Sequence, residues 1–113
     1  MLLKSFRGLT SSEVSELFQH QHGSSSNRFF RVLWRKTEEP SPRFVVVVTK
    51  KFHKSAVTRN RSRRMVYDLL PRTFSRWTEG VRVAIVVKTS ALQASKHEFE
   101  QAMYDVMHKS GFV

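Results

Sequence analysis

Residues 50–64 run Lys50-Lys51-Phe52-His53-Lys54-Ser55-Ala56-Val57-Thr58-Arg59-Asn60-Arg61-Ser62-Arg63-Arg64 and hold seven of the chain's twenty Lys and Arg residues, with no acid among them. Side chains of this kind bind phosphate. Arginine does so better than lysine, because its planar fork donates to two oxygens at once. Arg59 and Arg63 stand four apart, as do Asn60 and Arg64, so a helix would align them as two adjacent rows of donors. Arg61 would point to another side. A merely solvated helix face would interleave its bases with acids at i, i+4 spacing, and here only Arg64 has such a partner, Asp68. The segment therefore reads as a nucleic-acid contact.

No nucleophile or acid–base constellation accompanies it. The histidines at 20, 22, 53, 97 and 108 are scattered. His20-x-His22 has no carboxylate or cysteine neighbour to complete a metal site and reads as a surface pair. His53 lies within the basic loop, where it can meet phosphate. The candidate RNA-binding residues are Lys50, Lys51, His53, Lys54, Arg59, Asn60, Arg61, Arg63 and Arg64; no catalytic residue and no protein metal site is expected.

The whole chain agrees with this emphasis. Its 113 residues carry a net charge of +11, which attracts polyanions. With 40% hydrophobic residues it can build one modest core, so residues 1–113 read as a single domain. The absence of cysteine excludes disulfides and thiolate metal sites. The longest apolar runs, Phe44–Val48 and Val83–Val87, are far shorter than the roughly 20 residues of a membrane crossing. The first residues lack the long apolar stretch and small-residue cleavage site of a signal peptide, and a cytoplasmic location is expected.

These side chains need elements to position them. Thr10 and Glu13 have capping-box spacing, flanked by Leu9 and Val14 as a staple, which predicts a helix from Thr10 to about His20. Gly23–Asn27 and Glu38–Pro42 read as loops by composition. Asn27–Arg35 alternates as a strand, with Phe30, Val32 and Trp34 on one side and Phe29, Arg31, Leu33 and Arg35 on the other. Phe44–Thr49 is apolar enough for a central strand covered on both faces. A second helix begins near Ser55 and passes Leu70, with Val66, Leu69, Leu70, Phe74 and Trp77 facing the sheet; Pro71 must end or kink it. Val81–Val87 is another strand. Ser95 and Glu98 open a third helix with the stripe Phe99, Ala102, Met103, Val106 and Met107, closed by Gly111. The result is an α+β sandwich on one sheet.

The run from the strand at Phe44 through Thr49-Lys50-Lys51 to Ala56-Val57-x-Arg59-Asn60-Arg61-x-Arg63-Arg64 resembles the signature of the bacterial ribonuclease P protein subunit family. That family shows Ser-Lys-Lys, a short loop, Ala-Val and an Arg-Asn-Arg-x-Lys-Arg helix start. The resemblance spans residues 3–112. It implies an αβββαβα fold with a left-handed βαβ crossover and an extra short strand near His20–Ser26. It also implies binding of the catalytic ribonuclease P RNA through Arg59, Asn60, Arg61, Arg63 and Arg64. A cleft between the first helix and the sheet would take the 5′ leader of precursor tRNA, with Lys50 and Lys51 near its path, Phe18 on the helix, and Phe30 and Leu33 on the floor. Hydrolysis would belong to the RNA and its Mg2+, with no catalytic side chain, no obligate protein partner and no membrane. The chain departs from the family pattern at Val14, where a second aromatic is usual, at Val45 for glycine, at Thr49 for serine and at Arg63 for lysine.

Two other readings use the same charge. A ribosomal or chaperone-type RNA binder would bind RNA without activating precursor tRNA cleavage. A membrane-surface module would need a helix with basic and bulky apolar faces, and the third helix, with Glu98, Glu100 and Asp105, is too mixed in charge for that.

Overall fold

The computed structural model describes residues 8–40, 42–49, 51–73 and 80–112. The first helix, α1, spans Ser11–Gln19, and its start follows the predicted capping box: the Glu13 amide donates to Thr10 Oγ1 at 3.3 Å and the Thr10 amide to Glu13 Oε1 at 2.9 Å. Strands β1 (Gly23–Ser26) and β2 (Phe30–Lys36) follow as an antiparallel pair. Between them Asn27 Oδ1 accepts from the amides of Phe29 and Phe30, at 3.0 and 2.9 Å. That side-chain-capped turn delays β2 to Phe30, three residues beyond its expected start. The serine-rich stretch expected by composition to be a loop is therefore a strand. Its partner supplies the ladder, and Gly23 leaves room for the Trp34 indole, which an added Cβ would approach to 2.5 Å.

Strand β3 (Arg43–Val47) leads through the basic loop into α2 (Ala56–Thr73), and β4 (Val81–Val87) returns parallel to β3. The sheet order is β1-β2-β4-β3, so β4 is interior and β3 is an edge, contrary to the expectation that the valine run would be central. Only its alternate residues Phe44 and Val46 are buried. Tyr67 of α2 hydrogen-bonds the backbone at Val46, covering part of that edge, and burial pushes its phenol pKa up. Pro71 is accommodated in the last turn of α2; Phe74 and Trp77 lie outside the described residues. A short 3-10 turn, Thr89–Gln93, precedes α3 (Lys96–Lys109), whose capping box joins Ser95 and Glu98 as expected. Gly111 adopts φ +83°, the left-handed conformation that glycine supplies after a helix end.

Strand alternation divides the packing between two sides of the sheet. Phe30, Val32, Phe44, Val46, Val83 and Ile85 meet Val66, Leu69 and Leu70 of α2 and all five stripe residues of α3 in the main core. Among the described residues, α1 covers the opposite side through Leu17 on Leu33 and Ala84, with Leu9, Val45 and Val86 at the margin.

Candidate nucleic-acid interface

The basic segment is a turn followed by a helix, built from local bonds. The Phe52 amide donates to the Thr49 carbonyl at 2.9 Å, and the Phe52 ring, 3% exposed, anchors the turn in the main core. His53 Nδ1 accepts from the Ser55 amide at 3.0 Å, and Ser55 Oγ accepts from the Thr58 amide at 3.4 Å. Arg59 folds back on this loop, its Nη1 donating to the carbonyls of His53 and Lys54 at 3.1 and 3.4 Å. Arg63 Nη1 donates to Asn60 Oδ1 at 2.6 Å, and the exposed Asn60 keeps its amide nitrogen as a donor.

The arginines are thus sorted. Arg59 and Arg63 are half-buried and partly engaged with the chain itself, whereas Lys51, Lys54, Arg61 and Arg64 are exposed. Lys50 lies outside the described residues. Among the described residues, no carboxylate forms an ion pair with any base of this segment. The acids are engaged elsewhere: Glu13, Glu16, Glu39, Glu98, Glu100 and Asp105, six of the chain's nine, pair with Arg43 and Arg82, Arg35, Arg28, Arg72 and Lys109. The exposed pairs among them, such as Arg28 with Glu98 and Lys109 with Asp105, contribute little stability. The consequence of the pairings together is that the charge surplus gathers on the loop and the start of α2.

The α1 side of the sheet is striped. Strand register sets Arg35, Arg82 and Arg43 in one row, Leu33, Ala84 and Val45 in the next, and Ser26, Arg31, Val86 and Val47 in the third. Helix α1 covers the first two. Glu13 meets Arg43 Nη1 at 2.6 Å and Arg82 Nη2 at 3.1 Å; Glu39 meets the same two arginines at 2.9 and 3.0 Å; Arg43 also donates to the Gly8 carbonyl at 2.9 Å. Glu16 approaches Arg35 at 3.7 Å. The third row borders the Leu17 cluster, which Val86 meets at its margin. Arg31 is exposed and Val86 and Val47 are half-buried, with Phe18 of α1, 37% exposed, on the helix beside the sheet.

The floor expected from the sequence is therefore different in composition. Phe30 is fully buried on the other side, edge-on to Phe99 with ring centroids 5.0 Å apart. Leu33 is on the correct side but fully buried in the α1 core. Residues three apart on a strand cannot share a face. Arg31 takes the open position, and the alternation of the strand was the signal that could have found it. His20 and His22 are both exposed, with His22 Nδ1 accepting from the Lys36 amide at 3.0 Å.

The hydrogen bond from Arg43 holds the Glu13 carboxyl at a pKa of about 2, below its ordinary 4.5. Burial pushes Glu39 up, but hydrogen bonds from Arg82 and Arg43 more than offset this and leave it below the usual range. A depressed folded-state pKa stabilises above the unfolded value and is lost as protons bind. We therefore expect α1 to loosen from the sheet as pH falls from about 4.5 toward about 2, ahead of the main core. Amide exchange followed across that range checks this; synchronous exchange of α1 and α3 would refute it. The same network limits position 80. A Cβ on Gly80 would lie 2.0 Å from the Glu39 carbonyl oxygen, so Gly80→Ala must move the loop that carries Glu39. A loss of about 1–3 kcal/mol in thermal or denaturant unfolding is expected.

The family described as Ribonuclease P matches residues 3–111, and the chain belongs to it. Members of this family are the protein subunit of ribonuclease P and act in tRNA processing, which makes an RNA the partner of the chain. Solved structures agree on the fold. A Staphylococcus aureus RNase P protein mutant with defective mRNA degradation activity superimposes with a TM-score of 0.85 at 18% identity, covering 99% of this chain and 93% of that one. A second Staphylococcus aureus RNase P protein gives 0.83 at 18% identity, covering 93% and 95%. The Thermotoga maritima RNase P protein gives 0.75 at 19% identity, covering 91% and 96%. The search of curated proteins gives no match. The αβββαβα order expected from the resemblance is the order observed.

Proposed function

We propose that this chain binds the catalytic RNA of ribonuclease P through its basic loop and the start of α2, and holds the 5′ leader of precursor tRNA on the uncovered sheet row beside α1. The observation that carries the reading is the continuity of the two surfaces. The open row ends at Val47 on β3, and the chain runs from there through Thr49 to Lys51 and into the cationic segment. Unpaired bases stack on aromatic faces beside positive grooves. Phe18 supplies the ring, Arg31 the charge on the floor and Lys51 the charge at the exit. Lys54, Arg61, Arg64 and the Asn60 amide meet RNA phosphates. Arg59 and Arg63 contribute charge while bracing the loop and Asn60.

On this reading the RNA performs the hydrolysis and the chain contributes no catalytic side chain. Magnesium belongs with the RNA phosphates, because residues 51–64 carry bases and no carboxylate, a surface that repels a divalent cation. The chain's bases offset phosphate repulsion that magnesium would otherwise screen. The family's role in tRNA processing favours the cytoplasm as the place of action.

Reconstitution with bacterial ribonuclease P RNA and a precursor tRNA tests the proposal. The chain alone should cut nothing, and its addition should lower the magnesium concentration at which the RNA cleaves. Robust cleavage by RNA-free protein, or an unchanged magnesium requirement, would overturn it.

A further inference from the structure

Phe18, Val57 and Leu92 are the large apolar side chains left exposed among the described residues. Val57 is the extreme, 71% exposed, in the first turn of α2. Nothing local favours it. A β-branched residue loses rotamer freedom in a helix, and alanine would be the better helix former. A single exposed valine on a surface is ordinary, and its company is what gives this one meaning.

Positions 57, 60, 61 and 64 fall at i, i+3, i+4 and i+7, on one side of the helix. All four residues are exposed. Arg63 donates to Asn60 Oδ1, so the exposed Asn60 still has its amide donors to offer. Neither Arg61 nor Arg64 forms an ion pair with a carboxylate among the described residues. The outer side of α2 thus presents one apolar patch, amide donors and two guanidinium forks.

A regular A-form duplex offers the forks their phosphates but keeps its base faces stacked inside. Against such a rim Val57 would lose water and gain no apolar partner. An unpaired nucleotide supplies all three needs at once: a base face or ribose edge for Val57, base-edge acceptors for Asn60, and flanking phosphates for Arg61 and Arg64. We propose that the outer side of α2 recognises RNA at an unpaired nucleotide, seated on Val57. This rests on the reading that α2 contacts RNA, and it specifies the kind of RNA structure contacted.

The test uses the full chain and two RNA hairpins, one with a single-nucleotide bulge in its stem and one fully paired. The chain should prefer the bulged hairpin, and Val57→Ala should erase a preference of about tenfold, the worth of two buried methyl groups. The salt dependence of Val57→Ala should equal that of the unaltered chain, whereas Arg61→Ala should weaken both hairpins and reduce the salt slope by about one. Leu92→Ala, at an exposed apolar side chain outside both RNA surfaces, should leave the preference intact. Equal binding of the two hairpins, a preference that survives Val57→Ala, or one that disappears with Leu92→Ala would overturn the proposal. If Arg61→Ala also left the salt slope unchanged, the RNA-contact reading of α2 would fall with it.

Discussion

Replacing Arg61 and Arg64 together with alanine is expected to weaken binding to the catalytic RNA on the order of 100-fold, because each charge-assisted contact contributes about 1.5 kcal/mol or more. Both side chains are exposed, and among the described residues neither forms an ion pair with a carboxylate. The apolar contacts of α2 with the core begin at Met65, after both arginines, so the fold should survive. Each lost phosphate contact should also lower the salt slope by about 0.9, giving a total change near two. Titrations at several salt concentrations, with circular dichroism as a check on folding, read both quantities. A folded variant with an unchanged slope would mean that this side of α2 does not touch RNA. Arg59→Ala and Arg63→Ala should behave differently. Part of each guanidinium is already engaged with the loop or with Asn60. Their loss should therefore disorder neighbouring groups as well as remove charge.

That division among the arginines shows where sequence reasoning stops. Spacing alone paired Arg59 with Arg63 and Asn60 with Arg64, and it set Arg61 apart. Spacing does not say which row turns toward the body of the protein, because that depends on how α2 is seated against β3. Local signals were more legible. Both capping boxes, at Thr10 with Glu13 and at Ser95 with Glu98, are present, and all five residues of the α3 stripe are buried. These patterns are complete within one or two turns of chain. Strand β1 was obscured because four small polar residues have little strand preference of their own; pairing with β2 supplies it. The valine run of β3 concealed an edge strand because sheet order is a long-range property.

The arginine row was hidden for the same reason. Arg35, Arg82 and Arg43 become neighbours only through the β2–β4 and β4–β3 registers, so Glu13 could be read as a capping residue but not as the clasp between α1 and the sheet. Phe30 is a different case. The strand's own alternation already placed it opposite Leu33, and assigning both residues to one floor conflicted with that period. Arg31, between Phe30 and Val32, is the residue the alternation points to.

Arg31 and Phe18 lead to the second large effect. Helix α1 carries one exposed ring, Phe18, and one turn before it stands Val14, a half-buried valine where the family resemblance leads one to expect another aromatic. The open row offers Arg31 as an exposed charge, flanked by Ser26 on β1 and Val86 on β4. A surface with one stacking platform and a floor charge should read the presence of leader nucleotides more than their identity, since stacking tolerates any base and phosphate contacts carry no sequence information. Shortening the leader from several nucleotides to one should weaken substrate binding by the reconstituted complex and leave binding by the RNA alone nearly unchanged. Phe18→Ala should weaken long-leader substrate by about tenfold, within the roughly 1–3 kcal/mol that one stacked base is worth, and should spare the short-leader substrate. Arg31→Ala should weaken long-leader substrate of any leader sequence and lower the salt slope of that binding by about one. If Phe18→Ala instead lowers the melting temperature and leaves leader discrimination intact, the ring serves α1 packing and the cleft reading fails. If Phe18→Ala behaves as expected and Arg31→Ala has no effect, the leader stacks on α1 without crossing the open row, and its path must run along the helix rather than across the sheet.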